Sequence, residues 1–308
     1  MIRIYIASKG DRAGLQRLFQ AELPEAEVLI DAAELGPEPC PYIVVGRPDP
    51  GTIASVPGVE VVLSLNAGVE HLLASGEVPE AMPIVRMVDD GLAEGMSEWV
   101  LAEVLAWHRN ILHYHRIQPE ARWAPEREKL ARERIVTVLG AGALGGPAAE
   151  HLARIGFRTR VWSRSGRAVP GATAYGAGQL EEAVTGADVL VNLLPLTADT
   201  RDLIDGALLG RMARGGLFVN GARGAHVVEA DLVAALDAGQ LSLAALDVFR
   251  TEPLPAEDPL WRHPKVLVSP HVAAPTHPGP AVAEMAANIR RHQNGEPMRN
   301  VVDRAAGY

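Results

Sequence analysis

Four polar residues in the second half of the chain have side chains that could bind a ligand or exchange a proton. Each stands just beyond a strand-like segment, and in chain order they are Arg223, Asp247, Glu252 and His271. Ligands of open parallel sheets bind beyond the carboxyl ends of the strands, so we expect these side chains at one edge. Arg223 offers a planar charged fork for a carboxylate. His271 can donate a proton near neutral pH, and a carboxylate such as Glu252 beside it would favour the charged ring.

A glycine-rich loop lies upstream of these residues. It connects the strand-like segment Ile135–Leu139 to the helical segment Leu144–Ile155, and its glycines are Gly140, Gly142 and Gly145. In such a loop the first glycine turns the chain, the second admits a pyrophosphate, and the third lets helix and strand pack closely. The helix N-terminus then offers free N–H groups to the phosphates. The context predicts dinucleotide binding rather than a plain strand–helix turn, with expected contacts from Gly140, Gly142, Ala143, Leu144 and Gly145.

The next strand-like segment ends without the acidic residue that NAD-binding loops use for the ribose 2′-hydroxyl. The chain there reads Ser163-Arg164-Ser165-Gly166-Arg167. Two arginines can pair with a 2′-phosphate, and the two serines can donate hydrogen bonds to it. A solvated surface turn is the other interpretation. The missing acid predicts NADP as cofactor, with NADPH preferred over NADH.

The ordered motifs of the chain resemble those of the D-isomer-specific 2-hydroxyacid dehydrogenases over essentially its whole length. They are Gly140–Gly145, Asn220–Gly224, Leu246–Phe249, Glu252–Pro255 and Ser269–Val272. Further segments are similar to the glyoxylate/hydroxypyruvate reductase A subgroup, namely Trp162–Arg164, Asn192–Pro195, His226–Glu229, Pro259–Trp261 and Val302–Tyr308.

The resemblance implies an enzyme that reduces a small 2-oxoacid, of the glyoxylate or hydroxypyruvate type, to the 2-hydroxyacid with NADPH. It implies that Arg223 binds and polarises the substrate, and that His271, paired with Glu252, is the proton donor. Asp247 would orient the nicotinamide carboxamide. Further cofactor contacts would be Leu194, Pro195 and Ala222, and the backbone holding the substrate carboxylate would be that of Ala67, Gly68 and Val69.

Three departures from the family pattern leave the size of the substrate open. Asn66 stands where the carboxylate loop usually has glycine, and Gly221 stands where the subgroup usually has a bulkier apolar residue. Gly46 and its neighbours stand where the subgroup tends to carry tryptophan.

Strand-like and helical segments alternate along both halves of the chain, which is typical of doubly wound parallel sheets. The predicted fold class is α/β, with two such domains. The resemblance implies a flavodoxin-like substrate domain, residues 1–97 and 275–308, into which a Rossmann dinucleotide-binding domain, residues 98–274, is inserted.

Composition excludes several other classes of protein. The 308 residues carry a formal net charge of −9, which opposes binding to nucleic acid and to anionic membranes. No apolar run approaches the length of a membrane span, and the first residues lack a signal-peptide pattern, so we expect a cytoplasmic protein. The single cysteine, Cys40, excludes an internal disulfide. His108, His113 and His115 do not share one tight helical face, so no metal site is predicted.

A helix is predicted from Ser97, as its N-cap, to about Arg116, with an unusually broad apolar surface. One domain covers only a stripe about 100° wide, so burial against a second copy is expected, and the predicted assembly is a homodimer. The family resemblance points the same way.

Two other functions stay open. One is a dehydrogenase of the same fold that acts on a different 2-oxoacid. The other is a non-enzymatic, dinucleotide-sensing partner protein. Oxidation of NADPH with glyoxylate distinguishes an enzyme from such a sensor.

Overall fold

The computed structural model describes residues 2–307, which divide into two compact units. One unit comprises the chain up to Leu92 together with the segment from Thr276 onward, and the other is Ala93–Pro275. Each unit is built on one sheet whose described strand pairs are all parallel. The predicted α/β fold class with two parallel sheets is confirmed.

The strands of the first unit are β1 Arg3–Ala7, β2 Glu27–Leu29, β3 Tyr42–Val45, β4 Val61–Ser64 and β5 Ile84–Val85. Those of the second unit are β6 Ile135–Leu139, β7 Arg158–Trp162, β8 Thr173–Tyr175, β9 Val189–Asn192, β10 Gly216–Asn220, β11 Leu241–Leu246 and β12 Val266–Val268. The strand orders are β2-β1-β3-β4-β5 and β12-β11-β10-β9-β6-β7-β8. The order reverses between β1 and β3 and between β6 and β9, the positions at which doubly wound sheets open a crevice.

The helices are, in chain order, α1 Arg12–Glu22, α2 Glu70–Ala74, α3 Asp90–His108, α4 Ile111–Ile117, α5 Gly145–Ile155, α6 Leu180–Val184, α7 Gly206–Gly210, α8 Glu229–Asp237 and α9 Pro278–Gln293. Local sequence explains α1 well. The Asp11 carboxylate accepts from the N–H of Gly14 at 2.8 Å and caps the helix. Leu15 and Phe19, four residues apart, form its buried face.

The long helix α3, most of which lies in the second unit, begins earlier than the sequence predicts. It begins at Asp90, and Ser97 lies inside it, where its hydroxyl donates to the carbonyl of Ala93 at 2.8 Å instead of capping. Glycines normally disfavour a helix interior by about 1 kcal/mol each. Burial of Leu92 and Met96 accompanies the helical turns that contain Gly91 and Gly95, and packing of this kind overrides a weak propensity.

The predicted continuity of this helix to Arg116 is also wrong. Asn110 has φ of 55°, in the left-handed region, and separates α3 from α4. Asparagine is among the residues that tolerate this conformation, so a single Asn is enough to break a strongly apolar helical pattern.

Much of the apolar surface of α3 is covered within its own unit. Val100 and Val104 are fully buried in the core cluster on one face of the sheet, and His108 packs edge-on against Phe157 with ring centroids 5.1 Å apart. These residues of the helix are thus buried without a second copy, whereas Trp99, Leu101, Leu105 and Trp107 are only partly buried. Large exposed apolar side chains lie further along the chain, at Ile111, Trp123 and Leu130.

Residues 2–307 contain neither a membrane-spanning helix nor a cluster of potential metal ligands. No helix there is long and apolar enough to cross a membrane. Nor do three or more His, Cys, Asp or Glu side chains in that range group so as to hold a metal ion.

Candidate active site

The glycine loop begins directly beyond β6, and its first and third glycines are required by the fold itself. Gly140 has φ of 108°, and a Cβ there would lie 2.7 Å from the carbonyl oxygen of Leu193. A Cβ on Gly145 would overlap the carbonyl oxygen of Gly140. Gly142 differs, because a Cβ there would meet no heavy atom within 4 Å. The second glycine thus borders open space, as it must if a phosphate is to approach the backbone.

The N-terminus of α5 faces this loop without a side-chain cap. Leu144 occupies the N-cap position and makes no capping hydrogen bond, while the N–H of Gly146 donates to the carbonyl of Gly142 at 3.0 Å. The 11-residue helix therefore presents its positive dipole end beside the open space at Gly142. The cradle has the shape and the donors that a dinucleotide pyrophosphate requires.

The turn that carries the two predicted phosphate-binding arginines follows β7, the strand next to β6. The N–H of Gly140 donates to the carbonyl of Trp162 at 2.8 Å, which ties the glycine loop to the end of β7. In the turn itself, the Arg167 N–H donates to Ser163 Oγ at 3.1 Å, and Gly166 has φ of 63°. The side chains of Arg164 and Arg167 are exposed on this turn, which contains no acidic residue.

His271 and Glu252 are brought together from loops beyond β12 and β11. His271 Nδ1 lies 2.8 Å from Glu252 Oε2, and Glu252 Oε1 accepts from the N–H of Phe249 at 3.0 Å. His271 has φ of 56°, and its side chain is 41% exposed. Since Nδ1 is engaged by the carboxylate, Nε2 is the ring atom left for proton exchange with a substrate.

Asp247 anchors the segment that carries His271. Its carboxylate, which is almost fully buried, accepts from Ser269 Oγ at 2.7 Å, from the Val272 N–H at 2.8 Å and from the Ala273 N–H at 3.0 Å. The His271 N–H donates to the Asp247 carbonyl at 2.9 Å. Sequence reasoning assigned Asp247 only to the cofactor, and its part in shaping the histidine loop emerges from these four bonds.

Arg223 follows β10 in a loop that touches the one beyond β11. A Cβ on Gly224 would overlap the backbone of Phe249 and Arg250, so glycine alone permits this approach of the two loops. The Arg223 guanidinium donates from Nη1 to the carbonyl of Ala222 at 2.7 Å. The approach places the arginine loop against the chain that leads to Glu252.

Sequence reasoning gave no individual role to four polar residues of the second unit, three of them buried and one partly buried. Three of them, Asn192, Asn220 and His226, hydrogen-bond to one another beneath the loops beyond β9 and β10. The fourth is Glu103 on α3, whose carboxyl pKa is raised by burial and, to a lesser degree, by the charge of Asp247. The available signal was the presence of polar residues at otherwise apolar strand ends and on an apolar helix.

The predicted carboxylate-binding segment belongs to the first unit. Ala67, Gly68 and Val69 lie between β4 and α2. Ser64 Oγ shapes this turn, since it donates to the carbonyl of Asn66 at 3.1 Å and accepts from the Asn66 N–H at 3.0 Å.

Comparison with known proteins matches this architecture to one family. Residues 101–273 match the family model described as D-isomer specific 2-hydroxyacid dehydrogenase, NAD binding domain. The chain is also 41% identical over 277 residues to glyoxylate/hydroxypyruvate reductase A of Klebsiella pneumoniae (strain 342), which covers 88% of each protein. The chain belongs to the D-isomer specific 2-hydroxyacid dehydrogenase family and is an NAD(P)-dependent oxidoreductase.

Within the family, the Klebsiella pneumoniae relative and a solved reductase structure support the glyoxylate/hydroxypyruvate reductase A subgroup. The resemblance seen in the sequence is therefore confirmed. One similar solved structure is a D-isomer specific 2-hydroxyacid dehydrogenase from Xanthobacter autotrophicus Py2 in complex with NADPH and MES, with 39% identity, 99% of both chains covered and a TM-score of 0.94. Another is an NADPH-dependent glyoxylate/hydroxypyruvate reductase from Sinorhizobium meliloti with NADP and sulfate, with 34% identity, 100% of both chains covered and a TM-score of 0.94.

Proposed function

We propose that this protein reduces a small 2-oxoacid of the glyoxylate or hydroxypyruvate type to the 2-hydroxyacid, with NADPH as the reductant. The observation that carries the proposal is the 2.8 Å pair of His271 and Glu252 at the same sheet edge as an open glycine cradle. A proton donor and a dinucleotide cradle in one domain are what carbonyl reduction needs.

The cofactor proposal rests on the turn beyond β7. Arg164 and Arg167 would bind a 2′-phosphate there, with Ser163 and Ser165 as further donors. The two similar structures were solved with NADPH and with NADP. The phosphates would lie on Gly140, Gly142, Ala143, Leu144 and Gly145, and the nicotinamide end would contact Leu194, Pro195, Ala222 and Asp247.

NADPH supplies a hydride to the carbonyl carbon of the substrate. The carbonyl oxygen thereby becomes an alkoxide, which must gain one proton. His271 donates that proton from Nε2, while Glu252, bonded at Nδ1, orients the ring and favours its charged form before transfer. Arg223 binds the carboxylate and polarises the carbonyl with its fork. The family resemblance implies that the backbone N–H groups of Ala67, Gly68 and Val69 also bind the substrate carboxylate.

Steady-state NADPH oxidation tests the proposal with glyoxylate, hydroxypyruvate, pyruvate and phenylpyruvate as substrates. His271→Ala should lower kcat by about 10²–10⁴-fold, the usual contribution of a positioned acid, while NADPH binding stays nearly unchanged. The matched control is His263→Ala, because His263 also lies near a carboxylate, that of Asp237 at 3.4 Å, but outside the proposed site.

Each outcome has a clear meaning. Turnover of none of the four substrates, with NADPH still bound, would favour the dinucleotide-sensing function. Turnover of pyruvate or phenylpyruvate alone would identify a dehydrogenase for a different 2-oxoacid. A His271→Ala variant with most of its turnover would remove His271 from the mechanism.

We also propose that the protein is a homodimer whose interface includes α4 and the segment that follows it. Trp123 is 97% exposed, and Ile111 and Leu130 are exposed nearby in the sequence. An open apolar groove lined by Ile111, Tyr114, Ile117 and Trp123 lies in the same region. Contiguous exposed apolar surface of this kind marks an interaction site.

Light scattering at micromolar concentration tests this assembly. It should give about twice the 32.8 kDa chain mass for the natural sequence and a lower mass for Trp123→Glu. The mass of a Leu130→Glu variant is compared with that of Trp123→Glu, because Leu130 is a second exposed apolar residue of this segment. A monomeric natural protein would refute the dimer, and a Trp123→Glu variant that stays dimeric would place the interface elsewhere.

A further inference from the structure

Three buried side chains, two of which hydrogen-bond to the third, form a polar network beneath the proposed site. Asn192 ends β9 and Asn220 ends β10, and the two are paired across the parallel strands. His226 lies in the short 3₁₀ turn after Arg223. The exposed fractions of the three residues are 0%, 1% and 0%. Burying this much polar surface is costly unless every group is hydrogen-bonded.

Backbone groups determine the orientation of both amides. Asn192 Oδ1 accepts from the Leu194 N–H at 3.3 Å, and Asn220 Oδ1 accepts from the Ala222 N–H at 3.2 Å. Asn220 Nδ2 donates to the carbonyl of Arg223 at 3.1 Å. A backbone N–H can only donate a hydrogen bond and a carbonyl can only accept one. If either amide were rotated by 180°, its NH₂ group would face a backbone N–H, so the orientation of both amides is determined.

The orientation of Asn192 in turn determines the state of His226. The two hydrogens on Asn192 Nδ2 are directed at Asn220 Oδ1, at 3.0 Å, and at His226 Nδ1, at 2.9 Å. Nδ1 must then accept, so the single ring proton is on Nε2, which lies 3.2 Å from the carbonyl oxygen of Pro195. His226 is therefore a neutral bridge between Asn192 and Pro195.

The backbone groups held by this network belong to Leu194, Pro195, Ala222 and Arg223. We propose that Asn192, Asn220 and His226 are positioning residues, which hold the loop beyond β9 in register with the loop that carries Arg223. This inference rests on the proposed roles of those four residues in binding the nicotinamide end and the substrate. The inference adds that one buried side-chain network determines the relative position of the two loops that carry these four residues.

The test replaces His226 in three ways. His226→Leu removes both hydrogen bonds, and His226→Asn keeps an acceptor for Asn192 but is too short for Pro195. His226→Gln can supply an acceptor and a donor together. The matched control is Thr137→Val, which removes one fully buried hydrogen bond in β6, from Thr137 Oγ1 to the Ala183 carbonyl at 2.7 Å. NADPH Kd from fluorescence, kcat, KM for the 2-oxoacid and Tm are measured for each.

Positioning predicts that His226→Leu lowers kcat at saturating NADPH by about 10²-fold, the effect of misplacing a reacting group by about 1 Å. Its NADPH Kd should rise, and His226→Gln should recover most of both losses. Thr137→Val should lower Tm with kcat and Kd unchanged. If His226→Leu or His226→Asn lowered Tm but kept the natural kcat and Kd, the network would be only structural and the inference overturned.

The same series of variants also decides two further cases, a variant that does not fold and a protein that does not reduce these substrates. If His226→Leu does not fold, His226→Asn decides the question by the same measurements. If the natural protein binds NADPH but reduces none of the 2-oxoacids, the proposed reaction fails. The NADPH Kd values of the variants then still test the positioning role of the network, because equal Kd values across the series would refute that role.

Discussion

Two glycines of the loop beyond β6, Gly142 and Gly145, should respond differently to the same substitution, although sequence alone treats them alike. A methyl group on Gly145 would overlap the Gly140 carbonyl oxygen, so backbone must move. Overpacking of this kind costs about 1–3 kcal/mol. At about 2–4 °C per kcal/mol for a domain of this size, Gly145→Ala should lower Tm by roughly 2–12 °C.

Gly142→Ala should leave stability almost unchanged and weaken NADPH binding. Its Cβ meets no heavy atom within 4 Å, and its φ is not in the left-handed region. The added methyl group would, however, occupy the space proposed for the pyrophosphate. Loss of one hydrogen bond to a charged group costs about 1.5–3 kcal/mol, so Kd should rise about 10–150-fold.

Thermal unfolding and NADPH fluorescence titration give both quantities for each variant. Gly146→Ala is the matched control, because its Cβ would lie 3.6 Å from the nearest atom, the Ala141 carbonyl oxygen, in ordinary contact. It should keep both Tm and Kd. A Gly142→Ala variant with the natural Kd would refute the placement of the phosphates, and an equally large fall in Tm for Gly142→Ala and Gly145→Ala would refute the steric argument.

Three other predictions concern the cofactor, the substrate and stability. Replacement of Arg164 and Arg167 by alanine should lower kcat/KM for NADPH by about tenfold or more and leave that for NADH nearly unchanged, because the 2′-phosphate loses its charged partners. Arg223→Lys should lower kcat as well as substrate affinity, since a point charge cannot replace the planar fork. Burial and nearby arginines lower the pKa of His108 below its usual 6.5. His108 therefore binds a proton more readily in the unfolded chain than in the folded protein. The free energy of unfolding should fall as pH drops below about 6.5, and it should fall less in the His108→Leu variant.

Steady-state kinetics with each cofactor check the first two of these, and urea unfolding at pH 7.5 and 5.5 checks the third. Equal losses for NADPH and NADH would show that Arg164 and Arg167 do not bind the phosphate. An Arg223→Lys variant that changes only KM would make Arg223 a binding group alone. The same acid destabilisation in His108→Leu as in the natural protein would assign it to other groups.

Local sequence was enough for much of the fold. The strand-like segment Ile135–Leu139 is β6 at its observed bounds, and the helical segment Leu144–Ile155 differs from α5 by one residue at its start. Such elements are specified by residues near one another in the chain, as is α1, which is capped by the side chain of Asp11. The ordered motifs also identified the family, because residue types at loop ends are read directly from the sequence.

Local sequence was not enough where packing overrides propensity or where distant residues meet. The start of α3 was missed because burial of Leu92 and Met96 accompanies helical turns that contain two glycines. The 2.8 Å contact between Glu252 and His271 joins residues 19 apart in the sequence. Residue type suggested that Glu252 and His271 pair, but only the pairing of β11 with β12 brings the two side chains together.

The buried network shows the difference most clearly. The sequence determined that Asn192, Asn220 and His226 are present, but an asparagine at a strand end is equally compatible with an exposed turn. The parallel register of β9 and β10 sets the two amides side by side, and the 3₁₀ turn after Arg223 brings His226 onto them. Hydrogen bonds depend on distance and direction between atoms, and for residues 28 and 34 positions apart only the tertiary structure supplies both.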